Sequence, residues 1–170
     1  MQLVTILIVS FLGAGMVYLV GKISEKARDI LAVLISLAVV ILVSFTYNQK
    51  IYTSFYPLPF LNLSLTLRID FLSWFFAVVV AGIGFLSVLF SLGYMEHYEK
   101  LDYYYFMMLF VNAGMLGVVF SADLLSFYIF WEMMSWSTYL LISYKGGKAV
   151  AAGLKYIIMS TAGSIAMLFA

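Results

Sequence analysis

Apolar residues run along this chain in long, nearly unbroken stretches, and polar residues gather at the breaks between them. A helix needs about 20 apolar residues to cross a hydrocarbon core of about 30 Å. That length fits the chain six times, over Leu3–Val20, Ile30–Tyr47, Phe71–Met95, Tyr104–Phe120, Leu124–Ser143 and Val150–Ala170. In one place alternation replaces continuity. Leu61-Asn62-Leu63-Ser64-Leu65-Thr66-Leu67-Arg68-Ile69 puts an apolar residue at every second position over nine residues, which is the period of a strand and not of a helix. It closes a long connection, 48–69, that also carries Pro57 and Pro59. Two forms fit: a short strand or hairpin on the outer surface, or a coil among the headgroups with its leucines dipped in lipid. A strand would offer its edge to a neighbouring subunit. The fold class expected is all-α polytopic membrane protein, a single transmembrane domain over 1–170 with a short external β segment.

Composition agrees with the pattern. With 65% hydrophobic and 10% charged residues, the apolar surface exceeds what a core of this chain length can hide, so lipid must cover the rest. Nine Lys and Arg balance eight Asp and Glu, which argues against nucleic acid as a partner and leaves lipid and other helices. Cysteine is absent and His97 is the only histidine, so thiolate metal sites, iron–sulfur ligation and a haem held by two histidines are excluded within this chain. No cofactor is expected here; iron–sulfur or other redox groups belong to partner subunits, and the chain has no redox or hydrolytic site of its own.

The cations are unevenly divided. Lys22, Lys26, Arg28, Lys100, Lys145 and Lys148 fall on one side of the six spans, and Lys50 and Arg68 on the other. The richer side is expected to be cytoplasmic, which puts the N-terminus of this multi-pass cell-membrane or inner-membrane protein outside. No cation precedes the first apolar run, so it is expected to stay as a span and not to be cleaved as a signal peptide.

Few polar groups lie deep. Glu132 is about eight residues inside the fifth span, so at about 1.5 Å per residue it sits about 12 Å below the membrane surface. A carboxylate there is costly unless it is protonated, paired or hydrated, and such groups usually face a bundle interior or a wet cavity. Its alternative role is a structural glutamate locked between helices. Tyr128, Ser135 and Tyr139 stand at −4, +3 and +7 on the same stripe, able to hold water or bond the carboxylate, or simply to join helices. Lys155, in the sixth span, either snorkels to the interface or turns inward as a charge modulator of Glu132. Asn112 in the fourth span can both donate and accept. Asp70 and Asp123 precede the third and fifth spans, where carboxylates cap helices. The small residues Ala149, Gly153, Ser160, Gly163 and Ser164 mark a packing face on the sixth.

The run Phe127-Tyr128-Ile129-Phe130-Trp131-Glu132-Met133-Met134-Ser135-Trp136-Ser137-Thr138-Tyr139-Leu140-Leu141-Ile142 resembles the fifth helix of the antiporter-like membrane subunits. These are found in NADH:quinone oxidoreductase (complex I), in membrane-bound hydrogenases and ferredoxin-driven complexes, and in multisubunit cation/proton antiporters. Ile69-Asp70-Phe71-Leu72-Ser73-Trp74-Phe75-Phe76, Ser91-Leu92-Gly93-Tyr94-Met95 and Gly153-Leu154-Lys155-Tyr156 resemble that family in the same order. The resemblance implies that Glu132 is the family's proton-path glutamate, coupled to lysines further along the chain, and that Lys155 matches its sixth-helix lysine. It also implies a fold of two inverted five-helix repeats, each with a broken helix. The broken seventh helix and its lysine would lie past Ala170, so the chain is expected to be the N-terminal part of a longer subunit or a shortened member completed by neighbours. The function expected is proton or sodium translocation within a redox-driven membrane complex. The alternative is a transport-inactive scaffold linking membrane modules, and a free-standing transporter ranks below both.

Overall fold

A computed structural model describes residues 2–47, 49–58, 63–95 and 97–169. Among them are six helices and one hairpin: α1 (Gln2–Gly21), α2 (Glu25–Ser44), β1 (Ile51–Leu58), β2 (Leu63–Ile69), α3 (Phe71–Tyr94), α4 (Leu101–Phe120), α5 (Leu124–Ile142) and α6 (Lys148–Phe169). A single 3-10 turn, Ser143–Lys145, leads into α6. Five of the helices are long and apolar enough to cross a membrane, and α5 is the exception. Its 19 residues include Ser126, Glu132, Ser135, Ser137 and Thr138, so the helix that carries Glu132 is also the one whose polar residues take it out of the set of long apolar helices.

Where helix ends differ from the expected spans, local chemistry accounts for it. α2 starts at Glu25 and not at Ile30, because the Ser24 hydroxyl accepts the Ala27 N–H at 3.4 Å and starts the helix within the charged stretch. Hydropathy finds the lipid-facing part of a helix; capping finds its first turn. Arg28 is consequently not a free loop cation. It is 4% exposed, its Nε donates to Asp29 at 2.9 Å, and its guanidinium lies over the Tyr105 ring at 5.5 Å, a combination that compensates the loss of water around the charge.

The alternating segment adopts the hairpin form. β1 and β2 are antiparallel, with Ile51 opposite Ile69, Thr53 opposite Leu67, and Leu58 opposite Leu63; the register breaks between Phe55 and Leu58. Leu61 and Asn62 of the alternation lie outside the described residues. Pro57 falls at the break, on an edge strand that tolerates a missing N–H. Leu67 and Ile69 point into the bundle and join Leu3 and Leu7 of α1, Val43 of α2, Ala77 of α3 and Phe120 of α4 in one buried cluster. A second cluster at the far end unites Ala14, Val17, Ala32, Val88, Tyr105 and Leu109.

Helix α4 contributes to both clusters and packs against α1, α3 and α5. α5 lies close against it at two glycines. A Cβ on Gly114 would come within 3.1 Å of the Met134 backbone, and one on Gly117 would strike the Phe130 ring, the small-residue contact typical of helices packed in lipid.

Asp70 and Asp123 cap α3 and α5 as their positions suggest, accepting the Ser73 and Ser126 N–H groups at 2.8 Å each. The bond from the Ser73 backbone, helped by Arg68, holds the Asp70 carboxyl below its ordinary value. For Asp123 burial pushes upward, but donors from Ser126 and Thr66 outweigh it and the net shift is also downward. A carboxyl with a lower pKa folded than unfolded adds stability above its unfolded value and loses it as pH falls through its folded one. The hairpin and the first turns of α3 and α5 should therefore hold in mild acid and loosen only below the ordinary carboxylate range. Amide protection factors at Ser73, Ser126 and Thr66, corrected for intrinsic exchange at each pH, would show this; protection that does not fall in acid would contradict it.

Candidate functional site

The Asp123 cap starts α5 and sets its phase, and the phase decides what each polar side chain meets. At 100° per residue Tyr128, Ser135 and Tyr139 stand within about 60° of Glu132. The structure splits this stripe between two neighbours. Ser135 is 1% exposed and accepts a hydrogen bond from Ser160 of α6 at 2.8 Å. Tyr139 lies against Gly153 of α6, where an added Cβ would approach its ring to 3.1 Å. These two residues therefore join α5 to α6. Tyr128 is half-buried nearer the start of the helix.

Glu132 stands at the edge of that seam and lines a groove of about 350 Å³ on the α4–α5 side, with Phe106, Met107 and Phe110 of α4 and Met133, Trp136 and Ser137 of its own helix. Its Oε1 is buried and has no hydrogen-bond partner among the described residues. The ion pairs among those residues, Arg28–Asp29 and Arg68–Asp70, lie elsewhere. Ser137 and Thr138 give no help, since their hydroxyls donate to the Met133 and Met134 carbonyls at 2.6 and 2.8 Å. An unpaired carboxyl oxygen in an apolar wall is stable only as a protonated acid or against a donor from outside the wall.

The other two expected partners are not brought to it. Gly153, Ile157 and Ser164 are the buried face of α6, and Lys155, about 200° round from Gly153, is exposed on the opposite face. Asn112 packs against Gly84 of α3 and lines a separate cavity of about 10 Å³ with Ser10 and Ser36, on the side of α4 turned away from α5. Its Oδ1 is a second buried oxygen without a partner among the described residues.

One functional contact escapes sequence reasoning. Asp123 does more than cap: its Oδ2 also accepts the Thr66 N–H of β2 at 2.5 Å and the Ser126 hydroxyl at 2.6 Å. The only sequence signal for this is the short Ser121-Ala122-Asp123 connection, which says nothing of where the hairpin lies.

Together these features define a polytopic helical membrane protein in which, among the described residues, one carboxyl oxygen is buried and unpaired beside a groove lined by α4 and α5. Two family profiles match it: "NADH-Ubiquinone oxidoreductase (complex I), chain 5 N-terminus" over residues 55–107, and "NADH:quinone oxidoreductase/Mrp antiporter, TM" over residues 121–170. The chain belongs to the antiporter-like membrane subunit family that these complexes share. It is 36% identical over 113 residues to Na(+)/H(+) antiporter subunit A1 of Staphylococcus haemolyticus, which is 65% of this chain and 14% of the relative. The corresponding Staphylococcus aureus subunit is 34% identical over the same share of each. The chain thus spans about one seventh of the length of these relatives. Among solved structures it resembles a chain of the archaeal membrane-bound sulfane sulfur reductase, with a TM-score of 0.84, 26% identity, and coverage of 99% of this chain and 27% of that one. It has the same fold as a chain of the Mrp complex from a Dietzia species, with a TM-score of 0.91, 23% identity, and coverage of 99% and 19%.

The geometry carries a chemical prediction. Dicyclohexylcarbodiimide is an apolar reagent for carboxyl groups in apolar surroundings, so it should enter the groove and label Glu132 in preference to the aqueous Glu25 and Glu99. Peptide mass spectrometry would read the modified residue; labelling at Glu25 or Glu99 without Glu132 would show that the groove does not lead to this carboxyl.

Proposed function

We propose that this chain forms part of an ion-translocating subunit of a multisubunit membrane complex, with Glu132 taking up and releasing a proton on the way. The observation that carries this reading is the buried Glu132 oxygen with no partner beside an open groove. A structural glutamate at that depth would be expected to close its hydrogen bonds within the bundle, as Ser135 does with Ser160. Membership of the antiporter-like family supports ion transport as the task, and the solved neighbours are chains of large membrane complexes. The donor that completes Glu132 then comes from whatever packs against the groove. Lys155, exposed on the face of α6 opposite Gly153, does not act on Glu132 directly in this reading. The cations Lys22, Lys26, Lys100, Lys145 and Lys148 gather at the end opposite the hairpin, and we assign that end to the cytoplasm and α1's start to the outside. Redox groups, where the complex has them, belong to its other subunits.

Glu132→Gln keeps the shape and removes the exchangeable proton. In the assembled complex it should leave subunit content unchanged and lower coupled proton or sodium transport by roughly 100-fold. Full transport in this variant would overturn the reading and leave a scaffold role. A scaffold makes a different demand, that removal of the hairpin, residues 51–69, blocks assembly while Glu132→Gln is silent; co-purification of the subunits with each variant separates the two.

A further inference from the structure

A cap explains only half of what Asp123 does. Its Oδ1 accepts the Ser126 N–H and starts α5, and any good N-cap side chain would do the same. Its Oδ2 reaches out of the helix to the Thr66 N–H, 57 residues back in the chain, and to the Ser126 hydroxyl, which itself accepts from Thr66 at 3.0 Å. The Thr66 carbonyl accepts the Ala122 N–H at 2.9 Å, and Leu67 and Ser121 form an antiparallel bridge. The backbone of β2 that faces away from β1 is therefore stapled to the turn that begins α5. Thr66 and Ser126 are 4% and 0% exposed, so these bonds are shielded from competition by water.

Apolar contacts extend the same joint toward the middle of α5. Leu65 and Leu67 of β2 share a groove of about 520 Å³ with Phe11 of α1 and with Phe130 and Met133 of α5. Met133 follows Glu132 directly and also lines the Glu132 groove. Between helices in lipid no hydrophobic force selects the rotation of one helix against another, and close packing and polar contacts carry that task. Asp123 lies nine residues before Glu132 on one unbroken helix, which transmits a turn or a shift at its first residue along its length.

We propose that Asp123 is a positioning residue: it locks α5 to the outer hairpin and so sets the rotation and depth at which Glu132 meets its groove. The part of this that concerns transport rests on the proton-carrying role given to Glu132 above; the positional part does not.

Two substitutions isolate the joint. Asp123→Asn keeps an oxygen for the Ser126 N–H, but sets an amide N–H₂ against the Thr66 N–H. Thr66→Pro removes the donor from the other side and spares the β1 ladder, because the Thr66 N–H points away from β1. In the complete subunit within its membrane complex, three readouts apply: amide exchange at Leu65 and Leu67, the rate at which the carbodiimide modifies Glu132, and the pH profile of transport. Both variants should raise exchange at Leu65 and Leu67, change the Glu132 labelling rate several-fold and move the pH profile, with α5 still helical. If Asp123→Asn and Thr66→Pro match the unaltered protein in labelling and pH profile while Asp123→Ala does not, Asp123 is a cap and the proposal is wrong. Should Glu132→Gln prove silent in transport, the proton reading fails alone, since a changed labelling rate would still establish the positional role. If Asp123→Asn does not assemble, Thr66→Pro decides the outcome by the same readouts.

Discussion

In hydrocarbon there is no water to take an unpaired backbone N–H or C=O, so each segment that enters the membrane must satisfy its backbone within itself. That constraint makes helices of the apolar runs and pushes the β segment to an end of the bundle, where strands can be paired. It also explains the care with which the hairpin is attached. A two-stranded ribbon is marginal alone, and the side of β2 away from β1 would leave the Thr66 N–H and C=O open. Asp123, Ser126 and Ala122 close them. The hairpin is thus held by backbone satisfaction as much as by the packing of Leu67 and Ile69 in the core.

The same constraint sorts the polar side chains. Most hydroxyls in the helices turn back onto their own backbone: Ser10 onto Ile6, Ser44 onto Val40, Ser91 onto Ser87, Ser121 onto Gly117. Against that background, Glu132 Oε1, Asn112 Oδ1 and Ser143 Oγ are buried oxygens without a partner among the described residues. The first two lie on opposite sides of α4, one toward α5 and the other toward α3, and they line separate cavities.

The fold survives wide sequence change. The fold is shared with the Mrp chain although fewer than a quarter of the residues are identical. Lipid-facing positions demand little beyond being apolar, whereas close contacts such as Gly114 against Met134 demand small size at particular points. Helix arrangement can then persist with few residues in common.

Much of this protein is local and therefore visible in the sequence. The apolar runs placed six helices, alternation from Leu61 to Ile69 offered a strand as one of two forms, of which the structure takes the hairpin, and Asp70 and Asp123 announced two helix starts, because hydropathy, strand period and capping are properties of neighbouring residues. The position of Glu132 along α5 was equally legible, being a count along one helix. What only the tertiary structure decided are the partnerships: Ser135 and Tyr139 turned to α6, Lys155 turned away, Asn112 on the far side of α4, Arg28 buried, and Asp123 joined to Thr66. Each depends on how helices are rotated about their axes and on which elements meet, and those are set by contacts between residues far apart in the chain, where periodicity fixes a face but not its neighbour.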